Sequence, residues 1–399
     1  ARMGSKIEAR RLMLAAGVPV VPGETPDDQS DAGVVRAAHR VSLPVLIKAS
    51  AGGGGKGMRH VTQPEDLLEA AQSARREAIA AFDDGTLYVE QWFERPRHVE
   101  VQVLADNHGR VAHLFERECS IQRRHQKVIE ESPSVALTPQ LRDRLTEAAV
   151  MATRSVGYRN AGTIEFLLDT PGADGEAKFY FLEMNTRLQV EHPVTEMVTG
   201  VDLVRAQILV AAGEPIPWSA GAPGQRGHAI EARVYAEDPA REFLPQSGRL
   251  WLYREPRGPG IRIDSGVEEG SDVPVQYDPL LAKVIAAGET RDIATRRLID
   301  ALRRFPILGV QTNVSFLVSV LSHPRFQSGQ TDTGFLDAEE AALITPESAE
   351  LPEIVRAAFS AHENQSTLAD PEGSARRLAG TPVDTGRHDP WNNLKGWRG

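Results

Sequence analysis

The sequence predicts an α+β fold, in which helices flank a mostly antiparallel central sheet. Short strand-like runs come in neighbouring pairs joined by turn residues, and amphipathic helical patterns stand between the pairs. The 399 residues exceed the size at which one hydrophobic core stops growing, so at least two domains are expected. A composition of 41% hydrophobic and 25% charged residues is that of an ordinary globular protein and can supply such cores.

The first quarter of the chain predicts a small unit of alternating helices and strands. A helical pattern stops at Gly17, and an apolar run ends at Lys48, where a glycine-rich loop begins. The predicted elements are, in order, a helix at 5–16, strands at 45–47 and 58–61, a helix at 64–82, a turn at 83–85 and a strand from residue 87.

The middle of the chain predicts the strand pairs of the central sheet, with a turn at 106–109 joining the first pair. The predicted elements are strands at 98–104 and 111–116, a helix at 138–157, strands at 163–168 and 179–184, a helix at 201–212, strands at 228–235, 249–253 and 280–286, and helices at 290–304 and 313–321. From residue 339 to 390 aromatic residues nearly vanish, which predicts a mobile tail or linker.

Charge and cysteine content argue against several classes of function. With 45 Lys and Arg against 55 Asp and Glu, the net charge of −10 argues against binding to nucleic acid or to an anionic membrane. The one cysteine, Cys119, excludes an internal disulfide framework and is more often a small buried residue than a nucleophile. No apolar run approaches the roughly 18 residues of a membrane span, and no signal peptide is recognisable, so a cytoplasmic location is predicted.

The glycine-rich loop at 49–57 is the first local signal of function. Glycines let backbone N–H groups approach phosphate oxygens, and Lys48 and Lys56 add positive charge, which predicts an anion-binding loop. It is not a Walker loop, because no Gly-Lys-Ser/Thr opens a helix there. A flexible hairpin between two strands is the alternative.

Two acids at predicted strand ends form the second signal. If the strands at 163–168 and 179–184 are neighbours, Glu165, Glu183 and the Asn185 side-chain oxygen can converge on one divalent ion, and such hard ligands suit Mg²⁺. There is no Cys/His spacing for zinc. Two acids on a solvated face of the sheet are the alternative.

Two further polar runs complete the set. Residues 185–193 indicate an irregular loop that ends at Pro193; Arg187 can grip a small planar anion with two hydrogen bonds, and Gln189 and Glu191 can orient that anion or a proton. A surface salt bridge is the other interpretation.

Residues 122–127 are densely basic, which indicates phosphate stabilisation or an exposed cationic face.

These four signals, in this order, resemble the ATP-grasp fold, and specifically the biotin carboxylase domain of acyl-CoA carboxylase α subunits. The resemblance covers Met3 to about Leu336. The motifs that carry it are Met3-Gly4-Ser5-Lys6, the loop 48–58, Glu90 with Pro96-Arg97-His98-Val99-Glu100, Arg117-Glu118-Cys119-Ser120 with 122–127, and the run 183–196. The resemblance implies a small lid subdomain, a larger and mostly antiparallel sheet domain, and a biotin carboxylase C-terminal domain.

The resemblance also implies domain boundaries. They give a linker helix at 1–19, an ATP-grasp lid subdomain at 20–92, an ATP-grasp catalytic subdomain at 93–223, the biotin carboxylase C-terminal domain at 224–338, and a flexible linker with the start of a downstream segment at 339–399. In the family a nucleotide-fold domain stands before the position of Ala1, so this chain is expected to be an internal slice of a longer polypeptide.

Residue roles on the nucleotide side follow from the same resemblance. Lys6 and Lys48 resemble the lysines that bind ATP phosphates, and Gly53, Gly54, Gly55, Lys56 and Gly57 form the lid over them. Glu90 resembles the acid that contacts adenine, and the backbone from Gln91 to Phe93 resembles the hinge, although a lysine often stands at the position of Gln91. His98 and Gln122 resemble contacts on the ribose side, and His125 a phosphate contact.

The remaining roles concern the metal and the one-carbon substrate. Glu165, Glu183 and Asn185 resemble ligands of Mg²⁺ or Mn²⁺. Arg187, Gln189, Val190 and Glu191 resemble the bicarbonate pocket, with Glu191 as the general base. Lys127 resembles the lysine beside bicarbonate and carboxyphosphate, and Arg262 the arginine that steadies the biotin enolate.

The implied activity is ATP-dependent carboxylation of carrier-bound biotin with bicarbonate, through carboxyphosphate. The implied partners are a biotin carboxyl carrier domain, a carboxyltransferase subunit and a second copy of the chain. Another ATP-grasp ligase, such as a carbamoyl-phosphate synthetase half or a peptide-type ligase, is the alternative enzyme, and the run 189–193 with Arg262 argues against it. An ATP-binding scaffold without activity is a third reading, but Glu183, Lys127 and Arg187 are all present.

Overall fold

The computed structural model describes residues 6–51, 57–124, 126–170, 176–218 and 223–344. Its helices are α1 (Lys6–Ala15), α2 (Asp31–Val41), α3 (Leu67–Phe82), α4 (Pro139–Ser155), α5 (His192–Thr199), α6 (Leu203–Ala211), α7 (Arg291–Arg303), α8 (Val314–Ser322), α9 (Pro324–Gln327), α10 (Phe335–Ala338) and α11 (Glu340–Leu343). Within these residues no helix is both long enough and apolar enough to cross a bilayer.

The strands fall into one large sheet, one small sheet and three short pairs. They are β1 (Gly23–Glu24), β2 (Val45–Ala49), β3 (Met58–Val61), β4 (Leu87–Gln91), β5 (Arg97–Ala105), β6 (Val111–Arg123), β7 (Gln126–Ser132), β8 (Asn160–Asp169), β9 (Lys178–Asn185), β10 (His228–Tyr235), β11 (Glu237–Asp238), β12 (Leu244–Pro245), β13 (Gly248–Arg249), β14 (Leu252–Tyr253), β15 (Ile261–Ser265), β16 (Asp272–Val273), β17 (Leu280–Gly288) and β18 (Ile307–Leu308).

The large sheet has eight strands in the order β15-β17-β10-β7-β6-β5-β8-β9. Every neighbouring pair in it is antiparallel, which confirms the predicted α+β class and its antiparallel central sheet. Strands β10, β15 and β17 join it through the pairing of β10 with β7. The sheet therefore passes without a break from the predicted catalytic subdomain into the predicted C-terminal domain, and the boundaries between them remain a prediction.

The two faces of this sheet carry different residues, because successive side chains of a strand point to opposite sides. Along β10, Ile230, Ala232 and Val234 lie in an apolar cluster with residues of α7 and α8. Ala229 of the same strand packs on the other side against Val194 of α5. We call the side of the sheet that α5 covers the α5 face; helices α4, α7 and α8 cover the apolar face.

The small sheet, in the order β1-β4-β2-β3, packs against α2 and α3 around a separate apolar cluster. The predicted strands and helix of this region are confirmed, except that residues Pro64–Asp66 form a 3₁₀ turn before α3. At the end of α3, Asp83 adopts a left-handed conformation (φ 55°) and its N–H bonds to the carbonyl of Ile79. This cap turns the chain into β4.

Several segments differ from their predictions, and α2, β1 and β15 were not predicted. Residues 126–132 form β7, since the chain turns back at Arg124 with a positive φ of 48°. Pro193 does not end a loop: it lies in the first turn of α5, where its missing N–H is not needed. The strand predicted at 249–253 is two short strands with different partners, β13 with β16 and β14 with β18. The predicted tail lies outside the described residues from 345 onward, and before that point Glu340–Leu343 is helical.

Candidate active site

A row of charged residues crosses the α5 face from strand to strand. Directly opposed residues of paired strands project from the same face, so the register of the strands decides which side chains meet. The opposed pairs are Glu183 with Glu165, Glu165 with Glu100, Glu100 with Arg117, Glu130 with Glu231, Arg233 with Lys283, and Lys283 with Asp264. No such row was predicted; of the predicted site residues, Glu165 and Glu183 belong to it, and Lys127, Glu191 and Arg262 contact it.

Lys127 is the cation at the centre of this row. Its ammonium donates hydrogen bonds to Glu100 at 2.5 Å, to Glu165 at 2.9 Å and to Glu191 at 2.6 Å. Burial alone would lower the pKa of Lys127, but these carboxylates outweigh burial and raise that pKa well above its usual value. Lys127 is therefore charged throughout the physiological range.

Glu191 and Arg117 fix α5 to the sheet. Glu191 is fully buried just before α5, and its second carboxylate oxygen accepts a hydrogen bond from Arg233 at 2.9 Å. Arg117 is also fully buried; it donates to Glu100 at 2.6 Å and to the Thr195 hydroxyl of α5 at 3.0 Å. A buried charge with a full set of partners holds a rigid position, because losing any one partner is costly.

The predicted metal ligands lie on two paired strands, as the metal hypothesis requires. Glu165 and Glu183 are directly opposed, although Glu165 lies in the middle of β8 and not near its end. The Asn185 amide donates to Glu165 at 2.9 Å, and the His98 ring nitrogen lies 3.1 Å from the same carboxylate. Burial would raise the pKa of Glu165, but His98 and Lys127 lower it below its usual value, so Glu165 is anionic. Glu183 is exposed.

The predicted bicarbonate loop has one exposed and one buried half. Arg187 is exposed and forms no ion pair with any described residue; its guanidinium donates only to the Leu188 carbonyl, at 3.3 Å. Gln189 is buried, and its amide nitrogen has no hydrogen-bond acceptor among the described residues. The carbonyl of Val190 accepts a hydrogen bond from Lys283 at 2.8 Å. Among the described residues the loop therefore presents a guanidinium without an ion-pair partner and an amide without an acceptor.

Arg262 lies at the far end of the row, beside the C-terminal half of α5. It bonds to Glu196 at 2.6 Å and to both carboxylate oxygens of Asp264, at 2.7 and 2.9 Å. Asp264 is also 3.2 Å from the Lys283 ammonium. Arg262 is thus connected to the bicarbonate loop through Asp264 and Lys283.

On the lid side, Lys48 and Glu90 form a buried ion pair at 2.8 Å, and Arg10 lies 3.3 Å from the second oxygen of Glu90. Burial would lower the pKa of Lys48, but Glu90 raises it above its usual value. Burial and the nearby Lys48 lower the pKa of Lys6, which places the two ammonium groups in one neighbourhood. Two close cations suit a polyanionic ligand such as a phosphate chain.

The other predicted nucleotide contacts are only partly described. Gln91 is exposed, and the ring of Phe93 stacks on Tyr180 with centroids 5.2 Å apart. Gln122 is half-buried at the end of β6, and Gly57 has a left-handed φ of 69°. Gly53, Gly54, Gly55, Lys56 and His125 lie outside the described residues.

Six charged residues of the row were not assigned a role from sequence: Glu100, Arg117, Glu130, Glu231, Arg233 and Lys283. A signal was present, because Glu231 and Arg233 alternate with the apolar Ile230, Ala232 and Val234, which indicates that one face of that strand meets a polar centre. Cys119 is fully buried, as predicted, and burial raises the pKa of its thiol well above the usual value.

Two family models match the chain in succession. The model of the carbamoyl-phosphate synthase L chain ATP-binding domain matches residues 5–218, and that of the biotin carboxylase C-terminal domain matches residues 231–338. The chain is 48% identical over 335 residues to the biotin carboxylase of Halalkalibacterium halodurans, an alignment covering 84% of this chain and 73% of that protein.

Longer relatives and solved structures agree with these matches. The α subunit of mitochondrial methylcrotonoyl-CoA carboxylase from Oryza sativa is 49% identical over 344 residues, covering 86% of this chain and 46% of that protein. The chain spans about half the length of such α subunits. The biotin carboxylase domain dimer of Hydrogenobacter thermophilus 2-oxoglutarate carboxylase, solved with MgADP, ADP and bicarbonate, superimposes with a TM-score of 0.81 at 41% identity, covering 87% of this chain and 75% of that one.

Proposed function

The chain belongs to the biotin carboxylase family of ATP-grasp enzymes, and from this premise we propose that it uses ATP and bicarbonate to carboxylate biotin on a carrier domain. The observation that carries the proposal is the position of Lys127, whose ammonium binds Glu100, Glu165 and Glu191 at once. One fixed cation thereby links the predicted metal ligands to the predicted general base. The match of the biotin carboxylase C-terminal model to residues 231–338 favours this activity over that of a carbamoyl-phosphate synthetase half.

The predicted metal ligands fit Mg²⁺ or Mn²⁺. Glu165 is an anionic buried carboxylate, Glu183 faces it across the strand pair, and Asn185 adds an amide oxygen, so the donors are all hard oxygens. When bound, such an ion neutralises part of the phosphate charge during phosphoryl transfer. Lys6 and Lys48 would hold the phosphates from the other side.

The chain's own residues would then act on the one-carbon substrate. Bicarbonate lies between Arg187, Gln189 and Lys127, and its oxygen attacks the γ-phosphorus of ATP as ADP leaves. The product, carboxyphosphate, breaks down to phosphate and CO₂. Glu191 or the released phosphate takes the proton from the biotin ureido nitrogen, and this nitrogen bonds to CO₂ while Arg262 stabilises the enolate oxygen.

We further propose two partners and self-association. A biotin carboxyl carrier domain must bring biotin to Arg262, and a carboxyltransferase subunit must pass the carboxyl group to an acyl acceptor. Formation of a homo-oligomer and a cytoplasmic location stay predictions.

The test is ADP formation from ATP with free biotin and bicarbonate, measured on the longer polypeptide predicted to contain this chain and on the chain itself. Arg187→Ala and Glu183→Gln should each lower biotin-dependent turnover by about 10²-fold or more, because the first removes a cation beside the reacting anion and the second removes a proposed ligand of the ion that neutralises phosphate charge. Arg40→Ala, on the exposed surface of α2, is the control and should retain turnover. Absence of biotin-dependent turnover in the longer polypeptide, or near-normal rates in both variants, would contradict the proposal.

A further inference from the structure

Two buried glutamates on the α5 face lack the partners that buried carboxylates need. Glu130 of β7 and Glu231 of β10 are directly opposed, and both are fully buried. Neither oxygen of Glu231 accepts a hydrogen bond from a described residue. Glu130 uses one oxygen, which accepts from Arg233 at 2.7 Å, and its other oxygen is likewise without a donor in the described part of the chain.

The cations around this pair form most of their bonds with other residues. Arg233 divides its guanidinium between Glu130, at 2.5 Å, and Glu191, at 2.9 Å. Lys127 of β7 is bonded to three other carboxylates, and Lys283 of β17 to Val190 and Asp264. Glu191, from the loop before α5, adds a further negative charge. A single guanidinium therefore bonds to Glu130 and Glu191, and no cation of the described residues bonds to Glu231.

Two neighbouring carboxylates in such surroundings cannot both stay ionised, because each ionised group penalises the other where water does not screen them. Burial, only partly opposed by Arg233, raises the pKa of Glu130 to about 7. Burial together with the charge of Glu130 raises the pKa of Glu231 well above its usual value. Both effects act in the same direction and favour retention of a proton by the pair.

We propose that Glu130 and Glu231 are a positioning pair that holds one proton and so keeps Arg233 bonded to Glu191. The proposal rests on the proposed role of Glu191 as the general base. With one proton on the pair, a single negative charge meets Nε and Nη2 of Arg233, and Nη2 also keeps its bond to Glu191. Loss of that proton places two negative charges beside the guanidinium, draws it towards the pair, and weakens its hold on Glu191. Neither glutamate touches the reacting atoms.

The first test is the pH profile of Glu231→Gln. Glutamine has the shape of a protonated glutamic acid but cannot ionise, so turnover at neutral pH should stay within about threefold of the native value. The fall in kcat/KM at alkaline pH should begin about one pH unit higher or more in this variant. Glu131→Gln, whose side chain lies on the opposite face, should leave the profile unchanged. An alkaline limb that is identical in Glu231→Gln and the native protein would overturn the proposal.

The second test needs no turnover. Infrared spectroscopy of the substrate-free protein at a pH above the pKa of Glu130 should show a C=O stretching band of a protonated buried carboxyl group, which disappears as the pH rises further and is missing in Glu231→Gln. Glu231→Met, which also carries no proton, serves if the glutamine variant does not fold. If the band is present and biotin turnover is absent, the proposed function is contradicted, but the proposal that Glu130 and Glu231 hold a proton is supported. If turnover is present and the native protein and the variants show the same carboxyl bands, the proposal that this pair holds a proton is contradicted.

Discussion

Alternate residues of one strand, β10, serve two different environments. Ile230, Ala232 and Val234 pack into the apolar cluster under α7 and α8, whereas the intervening Glu231 and Arg233 enter the charged row on the α5 face. The apolar face gains stability from every side chain it buries. The α5 face buries charges instead, and each of these costs free energy unless a partner compensates it.

Two neighbouring glutamates of β7, one on each face of the sheet, differ in their hydrogen-bond partners and in their pKa values. On the apolar face, Glu131 accepts hydrogen bonds from His228 at 2.6 Å and from Arg291 at 2.6 and 3.0 Å. Burial would raise the pKa of Glu131, but these partners lower it to about 2. On the α5 face Glu130 has half the partners, and its pKa rises to about 7. Glu131 is thus fully paired on the apolar face, whereas Glu130 and Glu231, on the face that we propose to be catalytic, have carboxylate oxygens without donors among the described residues.

The largest expected effect comes from removing the central cation of the α5 face. Lys127→Met keeps the length of the side chain but leaves Glu100, Glu165 and Glu191 without their shared donor. Biotin-dependent ADP formation should fall on the order of 10³-fold or more, since a preorganised charge at the reacting anion is lost. Lys178→Met, which alters an exposed lysine of the same sheet, is the control and should retain the native rate. Equal rates in the two variants would contradict the assignment of chemistry to the α5 face.

The apolar face should respond in stability and not in chemistry. Phe166 is fully buried on that face of β8, with its ring edge-on to Phe179 at 5.4 Å. Phe166→Ala should lower the free energy of unfolding by about 3–5 kcal/mol, because it removes buried area and leaves a cavity. Urea unfolding measures the loss, and turnover per folded molecule should remain near native. A loss of turnover as large as that of Lys127→Met would show that the faces are not separable.

The pH dependence of stability tests whether the partners of Glu131 stabilise the fold by lowering its pKa. Its folded pKa of about 2 lies below the unfolded value of 4.5, so its contribution is complete above pH 4.5 and is lost as the pH falls towards 2. Glu131→Gln should therefore be less stable than the native protein by roughly 3 kcal/mol at neutral pH, and this difference should shrink in acid. Urea unfolding at a series of pH values measures it. A difference that does not change between pH 7 and pH 3 would refute this account of the paired acid.

The sequence predicted the faces of single strands better than the connections between them. Alternation placed the strand at 179–184 within one residue of β9 at each end, because periodicity is a local property. Strand β7 was missed, since its first residues are polar and the turn before it depends on a positive φ at Arg124. Pro193 is compatible both with the end of a loop and with the first turn of a helix, and only the packing of Val194 and Val198 decides for the helix.

In the candidate site, too, local patterns predicted the residues of single strands better than the contacts between segments. Glu165 and Glu183 were predicted to meet because both were placed on adjoining strands, and their pairing is confirmed, while their metal-binding role stays a prediction. The links from Arg117 to Glu100 and from Arg233 to Glu130 and Glu191 were not predicted. The Arg233 links join strands and a loop far apart in the chain, and the Arg117 link depends on the register of β5 and β6, which no local pattern specifies.

The smallest effect we expect divides the α5 face itself into two ends. Lys283 holds the Val190 carbonyl of the bicarbonate loop and also contacts Asp264, which fixes Arg262. Lys283→Met should raise KM for bicarbonate about 10-fold, the loss of one hydrogen bond from a charged donor, with kcat reduced less than about threefold. Asp264→Asn is the matched variant: it leaves the bond to Val190 in place, so KM for biotin should rise while KM for bicarbonate stays constant. If both variants instead change both constants equally, the row behaves as one rigid unit, and the bicarbonate and biotin ends of the α5 face cannot be tuned separately.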